Sequence, residues 1–477
     1  MTTMAMIAIE ATIVSTAMPQ IVADLGGLDL YSWVFSAFLL AQTAVTVVFG
    51  NLADVYGRKP VMLVGIAIFL TGTLLAGFAG SMLAMIVCRL VQGVGAGAMQ
   101  PVAMTIVADL YPARERGKVQ GYLASVWAVS AVVGPVLGGL LVRSVSWSWI
   151  FWVNIPIAVA AAAAFIVFLH DQSAHQRRAI DVGGAVSFAL AVAALSIALT
   201  ELGNGQVLRF QGAAVVFAVA TVLFVVAERR APNPIVSFSL WSRKPIAATN
   251  GMTVLATMAL IGLTTFLPIY VQLVMQRSPT TAGLTLTTMT LGWPAGATVA
   301  SRLFNRFSFR QLMITGALLQ PVGAVFFVAL TPTTSPLFAA TGSLVMGFGM
   351  GLISVSSLVS MQEIVEPSQR GSVTASNIFA RNLGSTLGAA VLGAVLNHNL
   401  RGTAGLGPVT AEQLRQLVNT PGVTAGDAAV RVALAQGLNL TFWVMLMITV
   451  STVLVALRVN AAPAFSAASS RVAEPER

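Results

Sequence analysis

Glu10 is the carboxylate set deepest inside an apolar stretch; the rest of the 16 acidic residues fall in polar connections, at the ends of apolar stretches or in the C-terminal tail. An ionised carboxylate held in hydrocarbon is costly unless paired or hydrated, so a residue in that setting marks an ion or proton pathway. The other reading is a carboxylate at a helix end. Two arginines share the apolar setting, Arg89 and Arg381. A guanidinium keeps its charge in proteins, so each must find a carboxylate, backbone carbonyls or water. Pairing Arg89 with Glu10 is the economical arrangement, and a fixed bridge between helices is the alternative for both arginines.

Other chemistries lack their residues. The chain has 1 cysteine, Cys88, inside an apolar run, which leaves no CxxC motif and no intrachain disulfide. The 3 histidines, His170, His175 and His398, stand in or beside polar connections, so no metal site or buried Ser-His-Asp set is expected. There is no GxxxxGK[ST] loop to hold nucleotide phosphates. The sequence therefore predicts no metal, no cofactor and no enzymatic activity.

The elements that must position Glu10, Arg89 and Arg381 follow from composition. Of 477 residues 57% are hydrophobic and 9% charged, against about 25% charged in soluble domains. A helix needs about 20 apolar residues to cross a hydrocarbon core of about 30 Å. Cutting at charged and Gly/Pro-rich interruptions gives fourteen stretches, near 4–23, 32–52, 60–80, 82–107, 119–142, 147–169, 182–200, 211–227, 246–275, 282–303, 311–330, 336–360, 373–397 and 438–458. The net charge of +10 is distributed by side. Arg58-Lys59, Arg114, Arg116, Lys118, Arg177-Arg178, Arg229-Arg230, Arg243-Lys244, Arg302, Arg306, Arg310 and Arg370 occupy alternate connections, while the intervening ones hold Arg143, Arg209, Arg277, Arg401, Arg415 and Arg431. The positive-inside rule then puts both termini in the cytoplasm, and the basic charge needs no nucleic acid to explain it.

A repeat runs through the chain. VQGVGAGAMQ at 91–100 and VMGFGMGLIS at 345–354 align at an offset of 254, with Gly93, Gly95 and Gly97 matching Gly347, Gly349 and Gly351. The same offset pairs Asp109 with Glu363, Arg116 with Arg370, Gly134 with Gly388 and Gly139 with Gly393. A register held across two helices and a basic loop predicts two similar parallel halves. The expected organisation is a six-helix half over 1–170, two inserted helices over 171–243, a second six-helix half over 244–460 with an outside connection at 398–437, and a disordered cytoplasmic tail over 461–477. A short helix near 410–418, begun by Thr410, is expected within the outside connection.

Local motifs now carry a resemblance. Gly50-Asn51-Leu52-Ala53-Asp54-Val55-Tyr56-Gly57-Arg58-Lys59 resembles the G-x-L-A-D-x-x-G-R-K/R signature of the major facilitator superfamily. Its glycines permit a tight turn between helices, Asp54 can face the positive end of a neighbouring helix, and Arg58 can bond a carboxylate such as Asp109. Arg89-Leu-Val-Gln-Gly93 is similar to the fourth-helix arginine motif of the antiporter branch, and Gly134-Pro135-Val-Leu-Gly138-Gly139 to its fifth-helix motif. Trp147-Ser-Trp149-Ile-Phe151-Trp-Val-Asn154-Ile-Pro156 and Glu10-Ala-Thr12-Ile13-Val14 resemble the sixth-helix and first-helix motifs of fourteen-helix drug:proton antiporters. Ser278-Pro279 and Arg381-Asn382-Leu383-Gly384 extend the likeness into the second half. The chain departs at Glu10, where aspartate is usual, at Ser148, where arginine is usual, and in a degraded second loop signature around Gly296 to Arg310.

The resemblance implies an all-α integral membrane protein of the major facilitator fold: two six-helix halves plus two inserted helices, with Gly50, Asp54, Gly57, Arg58, Lys59 and Asp109 latching an inner gate. It further implies a multi-pass exporter of the cytoplasmic (inner) membrane that takes small hydrophobic substrates in exchange for protons. Glu10 and Arg89 would couple the two, with the lipid bilayer and no nucleic acid as partners, as a monomer. A dedicated exporter of one endogenous lipid, amino acid or metabolite is the alternative on the same scaffold; a non-transporting receptor or scaffold is a further one. With no carboxylate in 336–360, weak handling of divalent cations is expected.

Overall fold

The computed structural model describes residues 2–26, 31–169, 182–203, 206–231, 238–403 and 425–459, and every regular element within them is helical. The order is α1 (Thr2–Leu25), α2 (Tyr31–Tyr56), α3 (Arg58–Ala76), α4 (Met82–Leu110), α5 (Ala113–Ser144), α6 (Trp149–Trp152), α7 (Asn154–Phe168), α8 (Val182–Gly203), α9 (Val207–Arg230) and α10 (Phe238–Trp241). It continues with α11 (Lys244–Ile269), α12 (Pro279–Leu303), α13 (Phe309–Val328), α14 (Pro336–Glu363), α15 (Arg370–Thr403) and α16 (Ala425–Leu457). Among the described residues 10 helical segments are long and apolar enough to cross a membrane. The segments α1, α5, α8 and α12 are not among them, so for these four the fourteen-span count stays an expectation; the apolar run of α8 covers only Gly183–Leu195.

Local chemistry sets the helix ends. Gly57 adopts φ 94° and ψ 158°, backbone that only glycine tolerates without strain, which lets α2 and α3 be joined by this single residue. Ser81 caps α4 by accepting from Ala84 N, and Ser308 with Gln311 forms a capping box on α13. Ser278 accepts from Thr281 N, with Pro279 opening α12, where a proline lacks nothing the helix needs. Pro268 in α11 is followed directly by a π turn over Tyr270–Val274, the local rewinding expected where a proline has removed a helical donor.

Two expected elements differ. The span expected at 147–169 is present as a membrane-length segment over Trp149–Phe168 but is interrupted at Val153 into α6 and α7, since Pro156 carries no N–H to continue the ladder into the preceding turn. The connection expected at 398–437 is helical at both ends, with α15 reaching Thr403 and α16 starting at Ala425. Polar, alanine-rich sequence there ends the apolar run without ending the helix. The short helix expected at 410–418 and the tail at 461–477 lie outside the described residues.

Packing divides the chain into two compact units: Met1–Ser196, Ala213–Arg243 and Gln362–Phe379 in the first, Ile197–Gly212, Lys244–Met361 and Ala380–Arg477 in the second. In the first, α4 packs on both α2 and α3, while α1 lies on α5. The repeated glycines explain the closeness. A Cβ on Gly93 or Gly97 would strike α2 at the carbonyls of Phe38 and Gln42, and one on Gly95 would strike α3 at Phe69. In the second unit a Cβ on Gly347 or Gly351 would strike α12 at the carbonyls of Met289 and Trp293, and one on Gly349 would strike α13 at Gly316. Equivalent glycines thus seat equivalent helices, α2 and α3 in one unit, α12 and α13 in the other.

Candidate functional site

Glu10 is completely buried in the first unit, on α1. It is positioned by a cluster in which Ile13, Val14, Ala17 and Met18 of α1 pack with Met82 and Met85 of α4 and with Trp147, Ile150 and Phe151 around α6. Trp147 also donates its indole N–H to Asp24 Oδ2 at 2.9 Å, tying the start of that segment to the far end of α1. Within this frame Arg89 Nη1 of α4 donates to Glu10 Oε1 at 2.6 Å. Gln92 Nε2 donates to the same oxygen at 3.3 Å, and Asn154 Nδ2 of α7 donates to Oε2 at 2.7 Å.

Arg89 is held in turn. Its Nε donates to Val34 O at 3.2 Å, its Nη1 also reaches Gln92 Oε1 at 3.0 Å, and its Cζ lies 4.3 Å from the centroid of the Phe38 ring. Gln92 passes a further bond, Nε2 to Thr73 Oγ1 at 2.8 Å, on to α3. Two helices, α4 and α7, therefore bond the carboxylate that α1 carries, α2 and α3 hold the bonding groups from behind, and among the described residues each group bonded to it is a donor. Such an arrangement fits the ionised form; a proton arriving on Glu10 would need an acceptor, and the side-chain Oδ1 of Asn154 is buried and accepts no hydrogen bond.

A second cluster gathers the loop signature, also within the first unit. Asp54 Oδ1 accepts from Gly371 N at 3.0 Å, and its Oδ2 from Ser372 N at 2.7 Å and Ser372 Oγ at 2.9 Å. The two N–H groups are backbone donors at the N-terminus of α15 that no helical carbonyl serves, and there the helix dipole favours a negative charge. Gly50 and Gly371 allow the approach: a Cβ on Gly50 would meet Ala375, and one on Gly371 would meet the Gly50 carbonyl. Arg58 bonds Asp109 Oδ2 at 2.9 Å, Asp54 Oδ1 at 3.2 Å, and the carbonyls of Ala53 and Pro367 at 3.0 Å each. Lys59 Nζ donates to Ile166 O at 2.7 Å, in the last turn of α7. Arg116 pairs with Glu363 at 2.5 Å and Arg370 with Asp109 at 3.4 Å. Burial draws the Arg116 pKa down from the usual guanidinium range, and Glu363 opposes that shift.

The remaining residues singled out from sequence are dispersed. Gly134, Pro135, Gly138 and Gly139 fall in the C-terminal third of α5, with Gly134 and Gly138 buried. Pro156 lies in the first turn of α7, two residues after Asn154. Arg381 stands apart on α15 in the second unit, its Cζ 6.0 Å from the centroid of the Trp293 ring. Sequence reasoning assigned no role to Gln92, Thr73, Gly371 or Ser372. Gln92 was within reach of it, being three residues after Arg89 and so on the same helical face.

Buried ion pairs among membrane-length apolar helices are the pattern of a multi-pass membrane transporter. The chain belongs to the Major Facilitator Superfamily, which it matches over residues 1–389. It is 36% identical over 395 residues to "Multidrug resistance protein 3" of Bacillus subtilis (strain 168), covering 82% of this chain and 77% of that protein. It is 31% identical over 393 residues to "Multidrug transporter protein MdtP" of the same organism, covering 82% and 73%. Among solved structures it resembles the human organic anion transporter MFSD10 (TETRAN), with a TM-score of 0.62 over 93% of this chain and 97% of that one. At 17% identity that likeness shows the fold alone.

Proposed function

We propose that this transporter is a proton-coupled antiporter that exports hydrophobic, neutral or singly charged cationic small molecules from the cytoplasm across the cytoplasmic (inner) membrane. The observation that carries the reading is the fully buried Glu10–Arg89 pair with Asn154 and Gln92 closing around the carboxylate. Arg89 favours the ionised carboxylate; a cargo or a change in hydration that draws Arg89 away favours the protonated one, so cargo and proton compete for one site. Similarity to two proteins named for multidrug resistance or transport supports drugs as the cargo class. The carboxylate cluster around Asp54, Arg58 and Asp109 acts as the latch of the inner gate, the six-plus-two-plus-six organisation supplies the moving halves, and both termini face the cytoplasm. The driving force is the proton gradient, with no cofactor, and the chain works as a monomer.

Dye efflux in energised inverted vesicles tests this, with Glu10→Gln deleting the titratable proton while nearly keeping the volume. Gradient-dependent transport in the wild type that is lost in Glu10→Gln is the expected result. Efflux unchanged by the substitution would overturn the role given to Glu10. Equal transport of divalent and monovalent dyes would overturn the cargo class.

A further inference from the structure

Among the described residues, Arg89 and Arg381 lie deep inside helices long and apolar enough to cross a membrane, and the structure treats them differently. Arg89 has its charge matched by Glu10 and its N–H groups bonded to Val34 and Gln92. Arg381 lies eleven residues into α15, about 16 Å along the helix axis and so near mid-membrane depth. Among the described residues it takes part in no ion pair, since the pairs found belong to Arg58, Arg89, Arg116 and Arg370. Its Nε is buried and bonded to nothing, and so is Nδ2 of the adjoining Asn382. Both orphaned atoms are donors. Next to Arg381 the Trp293 ring is fixed by its own indole N–H, which donates to Ser354 Oγ at 3.1 Å.

A lasting positive charge with idle donors in a low-dielectric setting calls for an anionic acceptor. The guanidinium fork suits planar carboxylates and sulfonates, and an aromatic face beside it suits an aromatic body. We infer that Arg381, with Asn382 and Trp293, binds the acidic group of an amphipathic aromatic monoanion, a carboxylate or sulfonate, within the second unit. The inference rests on the transport reading above only in taking that anion as cargo, and it widens the cargo beyond neutral and cationic compounds.

Equilibrium binding of radiolabelled 2-naphthoate to the purified full-length chain tests it, with tetraphenylphosphonium as the cationic control. Arg381→Gln is expected to weaken naphthoate by about tenfold or more while leaving tetraphenylphosphonium within about twofold, and Asn382→Leu, which keeps the charge, to weaken naphthoate by about threefold. Arg381→Lys should fall between wild type and Arg381→Gln, since it restores charge without the fork. Naphthoate binding that is absent in the wild type, or equal in wild type, Arg381→Gln and Asn382→Leu, would overturn the inference. So would displacement of naphthoate by chloride but not by gluconate, which would assign the site to a small inorganic anion. A wild type that binds naphthoate but not tetraphenylphosphonium would leave this site standing and count against the cationic cargo proposed above.

Discussion

Among the described residues every hydrogen bond to Glu10 comes from a donor, and this sets what each neighbour is worth. Asn154 makes the bond to Oε2, at 2.7 Å, while Oε1 is shared between Arg89 and Gln92. Asn154→Leu therefore strips one carboxylate oxygen of its partner at a cost of about 1.5–3 kcal/mol, the worth of a hydrogen bond to a charged group. The expected outcome is gradient-driven efflux lowered by about tenfold or more and a lower melting temperature in detergent. Gln92→Leu should cost less at Glu10, because its contact there is 3.3 Å long and Arg89 remains. Equal losses from the two variants would show that Asn154 has no special hold on the carboxylate. Glu10 and Arg89 were legible in the sequence because charge in hydrocarbon is rare. Gln92 and Thr73 were not, since uncharged polar residues are ordinary in long helices and only the packing of α3 against α4 brings these two together.

Among the helices, the information lies in glycine, in two distinct ways. Gly57 is needed for its backbone angle, so Gly57→Ala strains the α2–α3 turn by about 1–3 kcal/mol. Gly95 is needed for its lack of a side chain: an added Cβ would lie 2.5 Å from the backbone nitrogen of Phe69 and 2.6 Å from its Cβ. Gly80, by contrast, has open space around it. Thermal unfolding followed by size-exclusion chromatography should show Gly95→Val strongly destabilised and Gly80→Val close to wild type; similar values would mean that α4 does not depend on this approach to α3. The repeat on which these glycines sit was visible at an offset of 254 for the fourth and fifth helices. For the second and third only the degraded loop signature around Gly296 to Arg310 marked it, because Met289 stands 251 residues after Phe38 and Gly316 stands 251 after Gly65. The two offsets differ by a few residues in the connection before α4 and α14, and a single register cannot follow that change.

Across the whole molecule the two copies of the repeat exchange partners. Asp109 and Glu363 are equivalent by sequence, as are Arg116 and Arg370, and the observed pairs are Arg116 with Glu363 and Arg370 with Asp109. The loop signature adds to only one side of this exchange. Asp54 holds the N-terminus of α15, whereas the position 251 residues later is Asn305, and the one matching Arg58 is Phe309. A cluster built this way must come apart as a set if α2 and α4 are to part from the start of α15, so its members should be energetically coupled. Arg116→Glu alone places like charges against each other and should lower efflux, as should Glu363→Arg alone. The double variant Arg116→Glu with Glu363→Arg restores an ion pair and is expected to recover most of the activity, with a coupling of about 0.5–3 kcal/mol between the two positions. Asp54→Asn weakens the hold on α15 without touching that pair, so its effect should persist in the double variant. Additive losses from Arg116→Glu and Glu363→Arg, with no recovery in the double variant, would show that this contact contributes no latch to the transport cycle.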